Sequence, residues 1–334
     1  MKTRRLGKTG PTVSTLGLGA MGMSDFYGPA DREESVATLN AALDEGITLI
    51  DTGDFYGSGH NEILVGEVLR GLRREDVVIS VKFGALRDPK GNFTGVDLRP
   101  AAIRNFLAYS LKRLNTDHID VYRPARMPQG TNVEEVIQTL ADLVKAGYIR
   151  HIGLSEIGAR TLRRAAAVHP IADLQIEYSL ASRDIEPEIL PTARELGVGI
   201  TAYGVLSRGL LSGHWSPDRA VTKGDFRAHS PRFQGENLAT NLRLVEAIRT
   251  VATRKGITVA QAAIAWVLSR GEDIIPLIGA RTRQRLDEAL GATEITLTGP
   301  ELDELARAVP AEAVAGARYP EHSLPDLDKG RTRP

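Results

Sequence analysis

A closed (β/α)8 barrel of the TIM-barrel class, with an N-terminal β-hairpin cap, is predicted for this chain on three observations. Eight short aliphatic or β-branched runs alternate with longer helical patterns. The runs are almost continuously apolar, which suits parallel strands covered on the outside by helices. The eight units spread over roughly 280 residues, the span of one barrel. Alternating β and α elements require a parallel sheet, either doubly wound or closed. A doubly wound sheet would more often show a Gly-rich fingerprint opening its first helix. Here Gly17-Leu18-Gly19-Ala20-Met21-Gly22 leads into Met23-Ser24-Asp25-Phe26-Tyr27-Gly28-Pro29, without the helix start that would give the glycines that meaning.

Taken in order, Gly7-Lys8-Thr9-Gly10-Pro11 is a turn between two short extended pieces, read as the capping hairpin. Strands are expected at Thr15–Leu18, Ile47–Ile50, Val77–Val81, His118–Tyr122, Ile149–Leu154, Asp173–Ile176, Val198–Ala202 and Ile274–Ile278. Helices are expected at Arg32–Glu45, Asn61–Gly71, Pro100–Leu114, Val133–Ala146, Ala159–Ala167, Glu186–Leu196 and Asn241–Lys255. An extra helix at Val259–Ser269 precedes the last strand, and two more, Arg281–Leu290 and Pro300–Ala308, follow it. Gly46, Gly147 and Gly197 each stand just past a helix, where a left-handed residue is favoured. The longest irregular stretch, Ser212–Thr240, follows the seventh strand, and a loop of that length is usually functional or disordered. Nothing marks a domain boundary, so residues 1–334 are expected to form one barrel domain with a long active-face loop at about 212–240.

Hydrophobic residues at 42% and charged residues at 25% suit a globular chain with a sizeable core. Lys+Arg and Asp+Glu balance at 42 each, so no net field draws nucleic acid or an anionic membrane surface, and neither is expected as a partner. The absence of cysteine excludes disulfides, thiolate metal sites and cysteine nucleophiles. No run approaches the ~20 apolar residues of a membrane helix. The basic start Met1-Lys2-Thr3-Arg4-Arg5 leads into no signal-type apolar stretch, so a cytoplasmic location is expected. A homo-oligomer is left open. No His/Asp/Glu cluster has metal-ligand spacing, and no metal is expected.

A barrel of this kind builds its site at the C-terminal ends of its strands. Strand two ends in Asp51, followed by Thr52-Gly53-Asp54-Phe55-Tyr56-Gly57, and strand three ends in Val81-Lys82-Phe83. Each places an ionisable group atop an apolar strand, where burial is costly without partners. Reduction of a carbonyl by hydride leaves negative charge on oxygen and needs a proton donor. A phenol with a pKa of ~10 is a poor donor and a poor base near neutrality. A neighbouring ammonium favours the phenolate and lowers that pKa, and a carboxylate holds the ammonium charged. Tyr56, Lys82 and Asp51 supply those three groups. A structural Asp–Lys ion pair beside a surface tyrosine is the other reading of their positions.

The run Asp51-Thr52-Gly53-Asp54-Phe55-Tyr56-Gly57-Ser58-Gly59-His60-Asn61-Glu62 resembles the signature that follows strand two in aldo-keto reductases, and Lys82 falls where that family has its catalytic lysine. The resemblance extends from the hairpin to the helix after strand eight. It implies that Tyr56 is the general acid/base, tuned by Lys82 and Asp51. The family usually closes its tetrad with a histidine after strand four, in a pattern like Asp-Leu-Tyr-x-x-His. This chain reads Asp120-Val121-Tyr122-Arg123-Pro124-Ala125-Arg126, with Ala125 in that place. Three readings follow: a water or Arg123, which shares the alternation phase of Ala125, substitutes; the pocket admits a bulkier substrate; or reductase activity is weak. His60 and His214 also fall on the active face.

The resemblance further implies NADP(H) as cofactor. Ser155 and Gln175 match residues that hydrogen-bond the nicotinamide carboxamide, while Glu156 replaces the usual asparagine and can accept but not donate. Tyr203 matches the platform under the nicotinamide ring, with a plain core aromatic as the alternative. Gly204, Leu206, Ser207 and Arg208 belong to the loop that approaches the pyrophosphate, Ala20 and Met21 border the cofactor after strand one, and His214 matches a basic position near the phosphates. After strand eight, Gly279-Ala280-Arg281-Thr282-Arg283-Gln284-Arg285 opens a helix. Arginines are disfavoured at that end of a helix, so three in five residues suggest either a solvated basic surface or a phosphate site. By resemblance, Arg281 and Arg285 contact the adenosine 2′-phosphate and Glu288 lies near the adenine. Met21, Phe26, Tyr27, Phe55, Phe83 and the Trp215 loop are expected to wall the substrate. The function expected is NADPH-dependent reduction of an aldehyde or ketone, reversible, by direct transfer of the 4-pro-R hydride with Tyr56 protonating the oxygen. The alternative is an NADP(H)-binding regulatory or redox-sensing subunit with little turnover.

Overall fold

A computed structural model describes residues 1–70, 73–219, 221 and 224–321. The chain opens with an antiparallel hairpin, β1 (Thr3–Arg5) and β2 (Thr12–Ser14). The barrel begins with β3 (Gly17–Gly19), β4 (Leu49–Gly53) and β5 (Val78–Phe83). A second hairpin, β6 (Ala85–Arg87) and β7 (Phe93–Val96), interrupts it. It continues with β8 (Ile119–Pro124), β9 (Ile149–Ser155), β10 (Ile171–Glu177), β11 (Gly199–Tyr203) and β12 (Ile274–Ile278). All eight barrel strands are parallel, and β12 pairs with β3 to close the ring.

The helices are α1 (Arg32–Asp44), α2 (His60–Val68), α3 (Pro100–Leu114), α4 (Val133–Lys145), α5 (Ala159–Val168), α6 (Ile189–Leu196), α7 (Gly235–Lys255), α8 (Val259–Leu268), α9 (Arg283–Leu290) and α10 (Gly299–Ala308). Local chemistry starts them where the sequence suggests. The side chains of Asp31 and Asn132 accept the third amide N–H of α1 and α4, and Thr258 with Gln261 and Thr298 with Glu301 form reciprocal capping boxes on α8 and α10. Gly197 ends α6 in the left-handed conformation, φ 71°.

The helix expected to run to Gly71 ends at Val68, and Gly71 lies outside the described residues. The irregular stretch after strand seven is shorter than expected. Two 3-10 turns, Phe226–His229 and Pro231–Phe233, order it, and α7 begins at Gly235, six residues before the expected Asn241.

Side chains alternate across each strand, which sorts the barrel into two environments. Ile50, Ile79, Val81, Phe83, Tyr122 and Leu174 face out and merge with the helices into one core. Leu49, Val121, Ile275 and Leu277 face in, and Leu6 and Val13 of the first hairpin pack beneath them as an apolar floor. Above that floor the interior turns polar: Ser80, Asp51, Arg123, Asp173, Gln175 and Thr201 are all buried.

Candidate active site

The polar layer is one connected set. The Lys82 ammonium pairs with Asp51. The second Asp51 oxygen accepts from Ser80 Oγ at 2.7 Å and Gln175 Nε2 at 2.8 Å. Arg123 donates to Ser80 Oγ at 2.8 Å and pairs with Asp173 at 2.9 Å, and Thr201 donates to Asp173. Two carboxylates thus face two cations, so the charges balance inside a barrel that could not hold one of them alone. Arg123 therefore does point inward, level with Lys82 in the strand register, where it engages Ser80 and Asp173 while its Nε and Nη1 make no hydrogen bond.

Tyr56 follows β4 on a turn that needs three successive left-handed residues, Gly57, Ser58 and Gly59. The turn aims the phenol back over the barrel, with the Lys82 ammonium 5.1 Å from its ring centroid. Phe55 and Phe26 meet the ring edge-on at 4.8 and 5.8 Å. Burial and the Asp51 carboxylate push the phenol well above its ordinary pKa, with the Arg126 guanidinium opposing them. The direction is the reverse of the lowering expected of Lys82, whose ammonium is paired with Asp51. Burial lowers the Lys82 pKa against the pull of Asp51.

The other expected residues lie along one rim. Ser155 ends β9 and is buried. Glu156, left-handed at φ 54°, accepts from the Tyr203 hydroxyl at 2.7 Å, the Glu177 N–H at 3.0 Å and Arg318 at 3.3 Å. Ala20 and Met21 sit beside β4, the Ala20 N–H on the Asp51 carbonyl at 2.9 Å. The stretch from Gly204 through Leu206 to Ser207 and Arg208 turns sharply, with φ of 65°, 45° and 57° at Gly204, Ser207 and Arg208. Gly279 is exposed, with open space where a side chain would be. Arg281 donates to the carbonyls of Tyr27 (2.9 Å) and Pro29. Arg285 and His214 both pair with Glu288, at 3.1 and 3.0 Å. His60 contacts Ser24 Oγ at 2.8 Å from an exposed position.

One expectation about the substrate walls is corrected. Phe83 faces away from the barrel interior and stacks on Tyr122 at 4.1 Å, because the alternation that turns Lys82 inward turns Phe83 outward. Trp215 is taken up by Phe233 at 4.7 Å and by the Arg227 guanidinium. The β6–β7 hairpin brings Phe93 to 5.9 Å from Phe26 and 5.8 Å from Phe55.

The residues that sequence reasoning missed come from the C-terminal segment. Ala315 is clasped by the Asn241 side chain through two 2.9 Å bonds. Arg318 pairs with Glu156 and Glu177, and Tyr319 meets the Tyr203 hydroxyl at 2.7 Å and Arg126 at 3.0 Å. The available signal was an Arg-Tyr-Pro run past the last helix, too short to read as an element.

Comparison with known proteins agrees with the barrel fold. The model of the Aldo/keto reductase family matches residues 15–309. The protein named Probable aldo-keto reductase 1 of Glycine max is 40% identical over 316 residues, covering 94% of this chain and 91% of the relative. Aldo-keto reductase yakc (NADP(+)) of Schizosaccharomyces pombe is 39% identical over 322 residues, covering 95% and 94%. The structure of a glycerol dehydrogenase from Gluconobacter oxydans superposes with a TM-score of 0.83 at 32% identity, covering 92% of this chain and 96% of that one. With a barrel of this topology, an Asp–Lys pair under a tyrosine and a family match across most of its length, the chain belongs to the aldo/keto reductase family.

Proposed function

We propose that this chain, working as one barrel domain, reduces an aldehyde or ketone to the alcohol with NADPH and runs the reverse oxidation with NADP(+). The observation that carries the reading is the Tyr56 phenol, held protonated over a charge-balanced Lys82–Asp51 pair at the mouth of the barrel. The rim fits a dinucleotide. Gly279 leaves open space after β12, Arg285 keeps much of its side chain exposed at the start of α9, and the left-handed Ser207 and Arg208 turn the backbone sharply after β11. The Schizosaccharomyces pombe relative is itself named for NADP(+).

The nicotinamide, when bound, supplies or takes up the hydride. Tyr203 is assigned to its ring face, and Ser155 and Gln175 to its carboxamide. Gly204, Leu206, Ser207, Arg208, Ala20 and Met21 line the cofactor's path, and Arg281, Arg285, His214 and Glu288 its adenosine end. Tyr56 gives its proton to the oxygen that gains charge. Asp51 holds the Lys82 ammonium charged, and that ammonium, beside the Tyr56 ring, stabilises the phenolate left when the proton moves. Phe26, Phe55 and Phe93 exclude water from the oxygen and favour an apolar or aromatic carbonyl compound.

The test is isotopic. With NADPH deuterated at the 4-pro-R position, the product alcohol carries the deuterium on its carbinol carbon. Deuterium lost to solvent overturns direct transfer, and deuterium retained on the nicotinamide overturns the 4-pro-R stereochemistry.

A further inference from the structure

The strand that lacks an imidazole brings a guanidinium to the same mouth. Ala125 is held at the top of β8 by its N–H on the Phe83 carbonyl at 2.8 Å, and its methyl group is buried. The next side chain, Arg126, folds back over it. One terminal nitrogen donates to the Ala125 carbonyl at 2.7 Å and the other to the Tyr319 hydroxyl at 3.0 Å, with the guanidinium carbon 5.5 Å from the Tyr319 ring centroid.

The charge reaches the groups that matter. It draws the Tyr56 phenol down against burial and Asp51, and it adds to the lowering of Lys82. Burial would raise the Tyr319 phenol, but Arg126 and Arg208 outweigh it and lower it. Most neighbouring cations are neutralised: Lys82 by Asp51, Arg123 by Asp173, Arg232 by Glu177, Arg227 by Asp225, and Arg318 by Glu156 and Glu177, while Arg208 donates to the Arg318 carbonyl and lies over the Phe226 and Tyr319 rings. Among the described residues no carboxylate lies within ion-pair distance of Arg126. A guanidinium has five N–H donors, and two nitrogens are anchored through one bond each, so donors remain for a ligand. A half-buried, oriented, unneutralised cation beside the proton donor suits a developing oxyanion.

We propose that Arg126 donates the second hydrogen bond to the reacting oxygen, doing the work of the imidazole that Ala125 lacks, with Tyr319 as its positioning residue. The proposal rests on the reductase reading above. As hydride adds to the carbonyl carbon, the π pair moves to oxygen. Tyr56 supplies the proton, and Arg126 keeps its own protons while holding the oxygen. A guanidinium stays charged at every working pH, so this contact, unlike an imidazole, adds no ionisation near neutrality to the pH profile.

The experiment is steady-state NADPH oxidation with a panel of aromatic and aliphatic aldehydes, on wild type, Arg126→Gln, Arg126→Ala and Arg126→Lys. NADPH binding is followed separately by fluorescence. Arg126→Gln is expected to lower kcat by about 10²–10³-fold, the loss typical of one oxyanion donor, with NADPH affinity unchanged. Arg126→Lys falls between, and millimolar guanidine restores part of the kcat of Arg126→Ala, which a purely structural role would not allow. An active wild type with Arg126→Gln at undiminished kcat, or a loss seen only in NADPH affinity, overturns this inference alone. A wild type that binds NADPH and reduces none of the panel overturns the reductase reading and this inference with it.

Discussion

Asp51 and Lys82 each lose several kcal/mol of hydration on entering the barrel, and their mutual attraction with the Ser80 and Gln175 bonds offsets that loss. Removing one partner leaves the other uncompensated. Lys82→Met is therefore expected to cost about 3–5 kcal/mol of stability in urea unfolding, and Asp51→Asn on top of it to recover part of the loss. A double variant no more stable than the single one would mean that the pair is not the source of the cost. At the other end of the rim, Arg285 sits partly exposed on α9. Loss of a charge-assisted bond to a phosphate costs about 1.5–3 kcal/mol, so Arg285→Ala should raise the KM for NADPH roughly tenfold to a hundredfold while leaving that for NADH nearly unchanged. Equal changes for both cofactors would place the 2′-phosphate elsewhere. Asp51, Tyr56 and Lys82 were legible in the sequence because they lie in short local patterns at strand ends. Tyr319 was not, because it meets Tyr203 from 116 positions away and no periodicity announces such a contact. Arg126 was passed over for Arg123 because strand alternation gives the direction of a side chain but not the height at which it finds a partner.

Among the elements, the C-terminal segment owes its place on the active face to α7. Asn241 is buried and spends its amide on the Arg232 carbonyl at 3.0 Å and on both backbone groups of Ala315. Asn241→Ala leaves those groups without their partner and should cost about 2 kcal/mol. Hydrogen exchange should then show protection lost across residues 315–319 while the barrel strands keep theirs. Protection that survives there would mean that the Arg318 ion pairs suffice. A second element carries a pH signature. Lys255 and the N–H and hydroxyl of Thr298 hold the Glu301 carboxyl down to about 2, against ~4.3 in the unfolded chain. A folded pKa below the unfolded one stabilises above the unfolded value and is lost as pH falls through the folded one. The Tm difference between wild type and Glu301→Gln should thus be constant above about pH 5 and shrink steadily toward pH 2. A difference that persists undiminished at pH 2 would assign the stability to shape rather than charge. The β6–β7 hairpin went unread because its strands are short and none of their residues is fully buried, so neither alternation nor an apolar run marks them.

Across the whole molecule the interior is graded. An apolar floor plugged by Leu6 and Val13 lies beneath a charge-balanced layer, with the phenol and the C-terminal segment above. That grading explains which part of the fold was legible. Eight apolar runs announce eight strands, and all of them are present, but every strand except the last continues beyond its run: β4 to Gly53, β5 to Phe83, β8 to Pro124, β9 to Ser155, β10 to Glu177 and β11 to Tyr203 among them. Apolar patterning stops where the site begins, because the upper barrel holds polar side chains in mutual contact, and those contacts are visible only once the strands are side by side. The central claim is that this mouth reduces carbonyl groups with Tyr56 as the proton donor. Its most direct test is NADPH oxidation by the purified chain against aromatic and aliphatic aldehydes, wild type beside Tyr56→Phe. Turnover by the wild type is expected to fall by about 10²–10⁴-fold in the variant, with NADPH affinity preserved. NADPH bound tightly with no turnover by the wild type, or turnover indifferent to Tyr56→Phe, would contradict it.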